Sequence, residues 1–328
     1  MPWGSVVQPV QIEGYFKENP RMPFESLPLP HFSETTRLIL LAILQGVAEF
    51  LPISSSGHLN VFAVFLGGQP STFVNIALHF GTLLSILVYY RKRILAMLGA
   101  DRKVILLLIV GTIPAAVVGL IIKKAFPELL ENLMLTGVML FITGLALCTF
   151  QPKKQVKRKN LDPTNDQSTE SKKRADHGSE TNGASDPAPD FSRGYLDLTW
   201  KGALFIGLFQ AFALMPGISR SGFTILAGLI LGMRRDSAAA FSFLLAIPAI
   251  LGATCLEILE VIGTQPNEPI SMVLVAALVA FVVGLAALAL LVKLLNQGML
   301  HWFALWVLPL GLVVIMWQIG VMIAQRAA

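Results

Sequence analysis

Gln45-Gly-Val-Ala-Glu-Phe-Leu-Pro-Ile-Ser-Ser-Ser-Gly57 and Gln210-Ala-Phe-Ala-Leu-Met-Pro-Gly-Ile-Ser-Arg-Ser-Gly222 are two versions of one stretch. Laid over one another without a gap, at a constant offset of 165 positions, they share Gln45/Gln210, Ala48/Ala213, Ile53/Ile218, Ser54/Ser219, Ser56/Ser221 and Gly57/Gly222, and the match resumes at Leu66-Gly67 against Leu231-Gly232. The chain is an internal duplication. Where the copies differ they differ in chemistry, Glu49 standing opposite Leu214 and Ser55 opposite Arg220. One copy supplies an acid and a hydroxyl, the other a fixed cation. In this way a two-fold scaffold can build one asymmetric site.

With 54% hydrophobic and 14% charged residues and a mean hydropathy of +0.67, the chain is far from the roughly 25% charged residues of soluble domains. It reads as an all-α, polytopic membrane protein. Apolar runs of about 20 residues, enough to cross a bilayer, occur near 71–90, 104–122, 132–150, 237–256, 270–292 and 302–324. Six spans are expected. Cys148 and Cys255 both fall inside these runs, which excludes a disulfide framework or a zinc pattern and predicts buried structural thiols. The first 33 residues carry scattered charges and prolines rather than a basic start and an apolar run, so no cleavable signal peptide is expected.

The duplication sets the organisation: an extension over 1–33, a first membrane repeat over 34–150, a linker over 151–194 and a second repeat over 195–328. Much of the net charge of +5 sits in 151–174 of that linker, where Lys153, Lys154, Lys157, Arg158, Lys159, Lys172, Lys173 and Arg174 lie among Asn, Ser, Thr and Asp. Such a composition predicts a solvated, disordered segment able to brush anionic headgroups rather than a nucleic-acid site. Each repeat opens with an apolar segment broken at Pro52 or at Pro216-Gly217, where the missing N–H and the ring clash interrupt a helix. Neither piece can span alone, so a re-entrant pair of short helices is expected in each half. Three crossings per half is an odd number, which turns the second repeat upside down. Broken segments at matching places in inverted repeats point to a binding site near the membrane interior. Placing Arg91, Lys92, Arg93, Arg102, Lys103, the linker, Arg234 and Arg235 in the cytoplasm puts both termini outside, with Lys123 and Lys124 on the contrary side.

Both breaks resume at Ser-X-Ser-Gly, so unpaired N–H groups and the positive ends of two helix dipoles enter one region, an arrangement suited to phosphate. Arg220 opposes the dipole and is costly at membrane depth, by about 2.5–3.5 kcal/mol on insertion scales. It calls for an anion, either Glu49 or a phosphate. Glu49 lies one helical turn after Gln45, on the same face, and is the only acid between Arg37 and Arg91. A lone carboxylate in apolar surroundings suits proton transfer. Ser55 is the unmatched hydroxyl of its run, with Glu49 or His58 as a base that could activate it. Bland readings stand beside these: a buried ion pair joining the repeats, a serine run that only caps a helix, and a core imidazole at His58 or His79. Thr224 and Ser242 are weaker candidate contacts.

Taken together, Gln45-x-x-x-Glu49-Phe-Leu-Pro-Ile-Ser-Ser-Ser-Gly-His58, Pro216-Gly-Ile-Ser-Arg-Ser-Gly-Phe-Thr224 and Phe241-Ser-Phe-Leu-Leu-Ala-Ile-Pro248 resemble the undecaprenyl-diphosphate phosphatases of the bacitracin-resistance type. The resemblance covers both halves but not the first 33 residues or the linker. It implies a multi-pass enzyme of the bacterial inner membrane that removes the terminal phosphate of undecaprenyl diphosphate at the outer side, recycling the carrier for peptidoglycan synthesis. It further implies Glu49 as essential acid, Ser55 as nucleophile, His58 in proton transfer or phosphate contact and Arg220 as diphosphate clamp. Gln45, Ser54, Ser56, Gly57, Ser219, Ser221 and Thr224 would line the phosphate pocket. Glu49 and Gln45 would hold a divalent metal, magnesium or calcium. The chain departs from the resemblance at Gln45, where members often carry a second Glu; an amide can hold a metal but exchanges no proton. The expected partners are the polyprenyl diphosphate and membrane lipid, with a homodimer allowed and no nucleic acid.

A transporter or lipid flippase is the main competing reading, because inverted repeats with interrupted helices are transporter architecture. The acid-phosphatase-like lipid phosphatases also use Ser-Gly-His and Ser-Arg pieces, but need a His soon after the Arg, followed by Asp. None lies between Arg220 and Asp236.

Overall fold

The computed structural model describes residues 32–66, 70–99, 101–149, 194–264 and 268–327. Nearly all of the extension and of the linker lies outside them. Among the described residues the chain is helical throughout, without strands. The first half contains α1 (Glu34–Ala48), α2 (Ser55–Phe65), α3 (Thr72–Tyr89), the short α4 (Arg91–Leu98), α5 (Lys103–Ala125), the one-turn α6 (Glu128–Glu131) and α7 (Leu133–Cys148). The second contains α8 (Trp200–Phe212), α9 (Arg220–Ile230), α10 (Arg235–Val261), α11 (Ile270–Asn296) and α12 (Ala304–Ala327). The apolar segments do break at the prolines, giving α1–α2 and α8–α9. The helix starts are set by short polar side chains: Ser33, Ser54, Ser71, Asn132, Thr199 and Ser219 each accept a backbone N–H from the first turn, as N-caps do.

Among the described residues five stretches are long and apolar enough to cross a bilayer: Thr72–Tyr89, Lys103–Ala125, Arg235–Val261, Ile270–Asn296 and Leu300–Arg326. The segment near 132–150, expected as the third of six spans, folds as the 16-residue α7. At 1.5 Å rise per residue it covers about 24 Å, short of the roughly 30 Å hydrocarbon core. The two cysteines correct an expectation, since both are exposed on the protein surface rather than buried. Apolar residues point outward from membrane helices as readily as inward, so an apolar run does not reveal its inner face. Lys123, on the contrary side of the charge pattern, pairs with Glu260 at 2.7 Å.

The halves exchange partners. The broken helix of each lies along the second long helix of the other, α1 on α11 and α8 on α5. Each long pair is also crossed, α3 on α11 and α10 on α5, while α7 packs along α12 and α3 along α10. Small residues permit these approaches, which stand in for hydrophobic driving force between membrane helices. A Cβ on Gly207 of α8 would lie 2.2 Å from the Gly111 carbonyl oxygen of α5. A Cβ on Gly46 of α1 would lie 2.9 Å from Val283 of α11. Around Phe50, Tyr90 and Phe243 an aromatic cluster fills the centre, with Phe50 and Phe243 centroids 5.7 Å apart.

Gly207→Ala forces α5 and α8 apart and is expected to cost about 1–3 kcal/mol, the usual scale of overpacking. A lowered melting temperature of the purified protein in detergent checks this, with Gly320→Ala, where an added Cβ meets nothing within 4 Å, expected to leave it unchanged.

Candidate active site

The two breaks meet face to face, and they meet symmetrically. A Cβ on Gly57 would touch the Gly217 backbone at 3.0 Å, and a Cβ on Gly222 would touch Pro52 at 3.2 Å. With the 165-position offset, Gly57 corresponds to Gly222 and Pro52 to Gly217, so these are the same contact made twice, as in an isologous interface. Ser221 also donates to the Leu51 carbonyl at 3.4 Å. Thr143 of α7 secures the second loop by donating to the Gly217 carbonyl at 2.9 Å and accepting the Ser219 N–H at 3.2 Å. The caps repeat as well. Gly57 N–H donates to Ser54 Oγ at 3.1 Å and Gly222 N–H to Ser219 Oγ at 3.2 Å, with Ser54–Ser56 and Ser219–Ser221 hydroxyl pairs beside them.

Symmetry ends at Glu49. This carboxylate, 6% exposed, follows the last turn of α1. Ser55, the first residue of α2, donates to its Oε2 at 2.9 Å, and Gln45 donates to the same oxygen at 3.1 Å. Arg220, the first residue of α9, is ion-paired through Nη2 to its Oε1. Ser55 and Arg220 occupy equivalent positions of the two repeats, so one carboxylate receives the corresponding residue from each half on its two oxygens. Leu214, at the position equivalent to Glu49, adds no second acid. The bland and the functional readings of Arg220 thus describe the same geometry: the pair joins the repeats and also collects acid, hydroxyl and guanidinium in one place.

Ser55 Oγ and the Glu49 carboxylate lie within the roughly 2.6–3.2 Å reach that a nucleophile and its base need, with Gln45 and Arg220 also bonded to the carboxylate. His58 is not part of this group. Its Nδ1 lies 2.8 Å from the Ser54 carbonyl oxygen, and its Nε2 accepts the Trp306 indole N–H at 2.9 Å. Trp306 was not singled out in the sequence. Nothing in the sequence spacing links residues 248 positions apart.

The remaining predicted pocket residues divide. Ser55 is partly open and Ser56 exposed. Ser54, Ser219, Ser221 and Thr224 are buried at 1–3% exposure, and their hydroxyls engage the loops themselves. Thr224 donates to the Arg220 carbonyl at 2.7 Å and pairs with Ser242, so it holds the start of α9. His79 bonds the Asn75 carbonyl at 3.0 Å.

The donor chemistry fits a hard divalent ion. Gln45 Oε1 is buried without a hydrogen-bond partner beside the Glu49 carboxylate, and oxygen donors suit magnesium or calcium. Among the described residues no group of three or more His, Cys, Asp or Glu side chains gathers to hold an ion. An ion bound there would take this amide and carboxylate as its donors from the protein.

A family model described as bacitracin resistance protein BacA matches residues 38–313, which spans both repeats and the linker. An undecaprenyl-diphosphatase of Rhodopirellula baltica is 44% identical over 288 residues, covering 86% of this chain and 98% of the relative. One from Desulfosudis oleivorans is 37% identical, covering 83% and 94%. An undecaprenyl-diphosphatase 3 of Bacillus cereus is 35% identical, covering 85% and 95%.

Removing one member of a buried charge pair strands the other, at roughly 3–5 kcal/mol, whereas removing both is far milder. Glu49→Gln and Arg220→Gln are each expected to destabilise the substrate-free protein, and the double variant by clearly less than their sum. A double-mutant cycle on thermal unfolding in detergent measures this.

Proposed function

The chain belongs to the bacitracin resistance protein BacA family, and on that premise we propose that it hydrolyses undecaprenyl diphosphate to undecaprenyl phosphate and inorganic phosphate. One observation carries the reading to particular residues: Ser55 Oγ donates to a carboxylate oxygen whose companion oxygen is paired to Arg220. The relatives are named for this hydrolysis and none for transport. The enzyme recycles the lipid carrier of cell-wall synthesis, which accounts for bacitracin resistance in the family's description.

Phosphoryl transfer needs positioning and charge neutralisation more than covalent chemistry from the protein. The diphosphate draws Arg220 from Glu49 and takes its guanidinium as a two-pronged clamp. The α2 and α9 starts add N–H donors and dipole. Released from the guanidinium, Glu49 keeps on Oε2 the hydrogen bond from Ser55 along which a proton can pass. Ser55 Oγ attacks the terminal phosphorus, its proton passes to Glu49, and the bond to the bridging oxygen breaks, releasing undecaprenyl phosphate. Water then attacks the phosphoserine, and the proton returned from Glu49 restores the Ser55 hydroxyl as inorganic phosphate departs. A divalent ion held by Glu49 and Gln45 supplies further neutralisation of the diphosphate when bound.

The same reading extends to placement. Six crossings, with α7 completing the set and two re-entrant pairs, form an inverted repeat in the bacterial inner membrane, basic loops inside and the site open to the outer face. Impermeant thiol labelling in a cysteine-free background checks the orientation: Gly263→Cys reacts in intact cells, and Lys92→Cys reacts only after lysis.

In detergent with undecaprenyl diphosphate, Glu49→Gln, Ser55→Ala and Arg220→Ala are each expected to lower kcat by about 10²–10⁴, the range of a lost acid-base or charge-stabilising group. Chelation is expected to stop phosphate release and added magnesium or calcium to restore it. Rapid quench with substrate labelled in its terminal phosphate separates the chemistries. Label on wild-type protein but not on Ser55→Ala supports attack by Ser55; absence of label in both assigns the attack to water.

A further inference from the structure

The Ser54 backbone is the strained point of the site. Its φ of +74° makes it the only non-glycine residue with positive φ among those described, a conformation in which the Cβ of an L-residue crowds its own backbone. That conformation delivers the next residue, Ser55, to Glu49. The second repeat serves as an internal comparison. Ser219, equivalent to Ser54, has φ −81°, and its half makes the positive-φ turn at Gly217, φ +96°, where glycine adopts it freely. His58 is equivalent to Phe223, which packs among Phe209 and Phe212. An imidazole therefore stands only on the side whose turn is strained.

His58 is 1% exposed, and both of its nitrogens are committed. An indole N–H can only donate, so Nε2 facing Trp306 at 2.9 Å must be the bare, accepting nitrogen. Nδ1 must then carry the proton, which it donates to the Ser54 carbonyl oxygen at 2.8 Å. The imidazole is neutral, in a single tautomer, with no proton free for a substrate. Phe62 flanks it at 6.4 Å with rings 15° from parallel, and Trp306 at 6.3 Å and 20°. Trp306 is itself 55% exposed, yet its polar edge is turned inward.

We propose that His58 is a positioning residue rather than a proton donor. Trp306 of the second repeat holds it as the Nδ1–H tautomer, so that it clamps the strained Ser54 carbonyl and presents Ser55 to Glu49. The kinetic side of this inference rests on the phosphatase reading; the tautomer does not, and is measured without substrate. In protein labelled with ¹⁵N-histidine, with His58 assigned by its loss in His58→Asn, wild type is expected to show a protonated Nδ1 and an unprotonated Nε2. Trp306→Phe keeps the aromatic ring but removes the donor, and is expected to shift His58 toward the Nε2–H tautomer. Its kcat for phosphate release is expected to fall about five- to tenfold, the scale of one lost hydrogen bond, with KM within about twofold. His58→Asn places an amide N–H near the Nδ1 position and is expected to retain about tenfold more activity than His58→Ala. A wild-type His58 protonated at Nε2, or His58→Asn no better than His58→Ala while wild type turns over, overturns the proposal. Failure of wild type to release phosphate would instead overturn the enzymatic reading, leaving the tautomer measurement intact.

Discussion

One buried carboxylate organises this protein. A guanidinium within a membrane domain needs an anion, and Glu49 is the anion that both loops can reach. The pair fastens the halves at the place where their helices are interrupted and free N–H groups gather. A charge pair so placed contributes little net stability over an apolar filling. It does make each half depend on the other, and it stores an exchangeable partner for an incoming phosphate. In the proposed mechanism the substrate replaces Glu49 at Arg220, and the replacement releases the base. In that mechanism the joining of the halves at rest and the activation on binding draw on the same contact.

Duplication explains how such a site arises from few parts. The clasp of Gly57 on Gly217 and Gly222 on Pro52 is symmetric, as are the serine caps and the exchange of α1 and α8 onto α11 and α5. Function enters only where equivalent positions diverged. Ser55 and Arg220 became hydroxyl and cation around a single acid, and the positive-φ turn moved from a glycine in one half to Ser54 in the other. The strain at Ser54 is paired with the only imidazole of the two loops. A symmetric scaffold supplies rigidity, and local asymmetry on it supplies chemistry.

Much of this could be read along the chain, and the failures have physical causes. The breaks at Pro52 and Pro216, the helix starts at Ser54 and Ser219 and the meeting of Glu49 with Arg220 all follow from rules that act within a few residues or from the constant offset. Hydropathy measures composition and not helix length, so the apolar run near 132–150 does not reveal that α7 stops at Cys148 after 16 residues. The apolar runs around the cysteines do not tell inward from outward, because a membrane helix is apolar on every face. Trp306 was invisible because a hydrogen bond across 248 positions leaves no period or motif.

Sequence alone determined the repeat, the membrane class, the broken helices and the identities of acid, hydroxyl and cation, since each depends on local backbone chemistry or on a one-to-one match of positions. Tertiary structure alone decided which neighbour each group serves. Ser55 turns to Glu49 rather than to His58, and His58 turns to Ser54 and Trp306. Those choices depend on directions of side chains brought together from distant helices, and direction in space is not encoded in spacing along a chain.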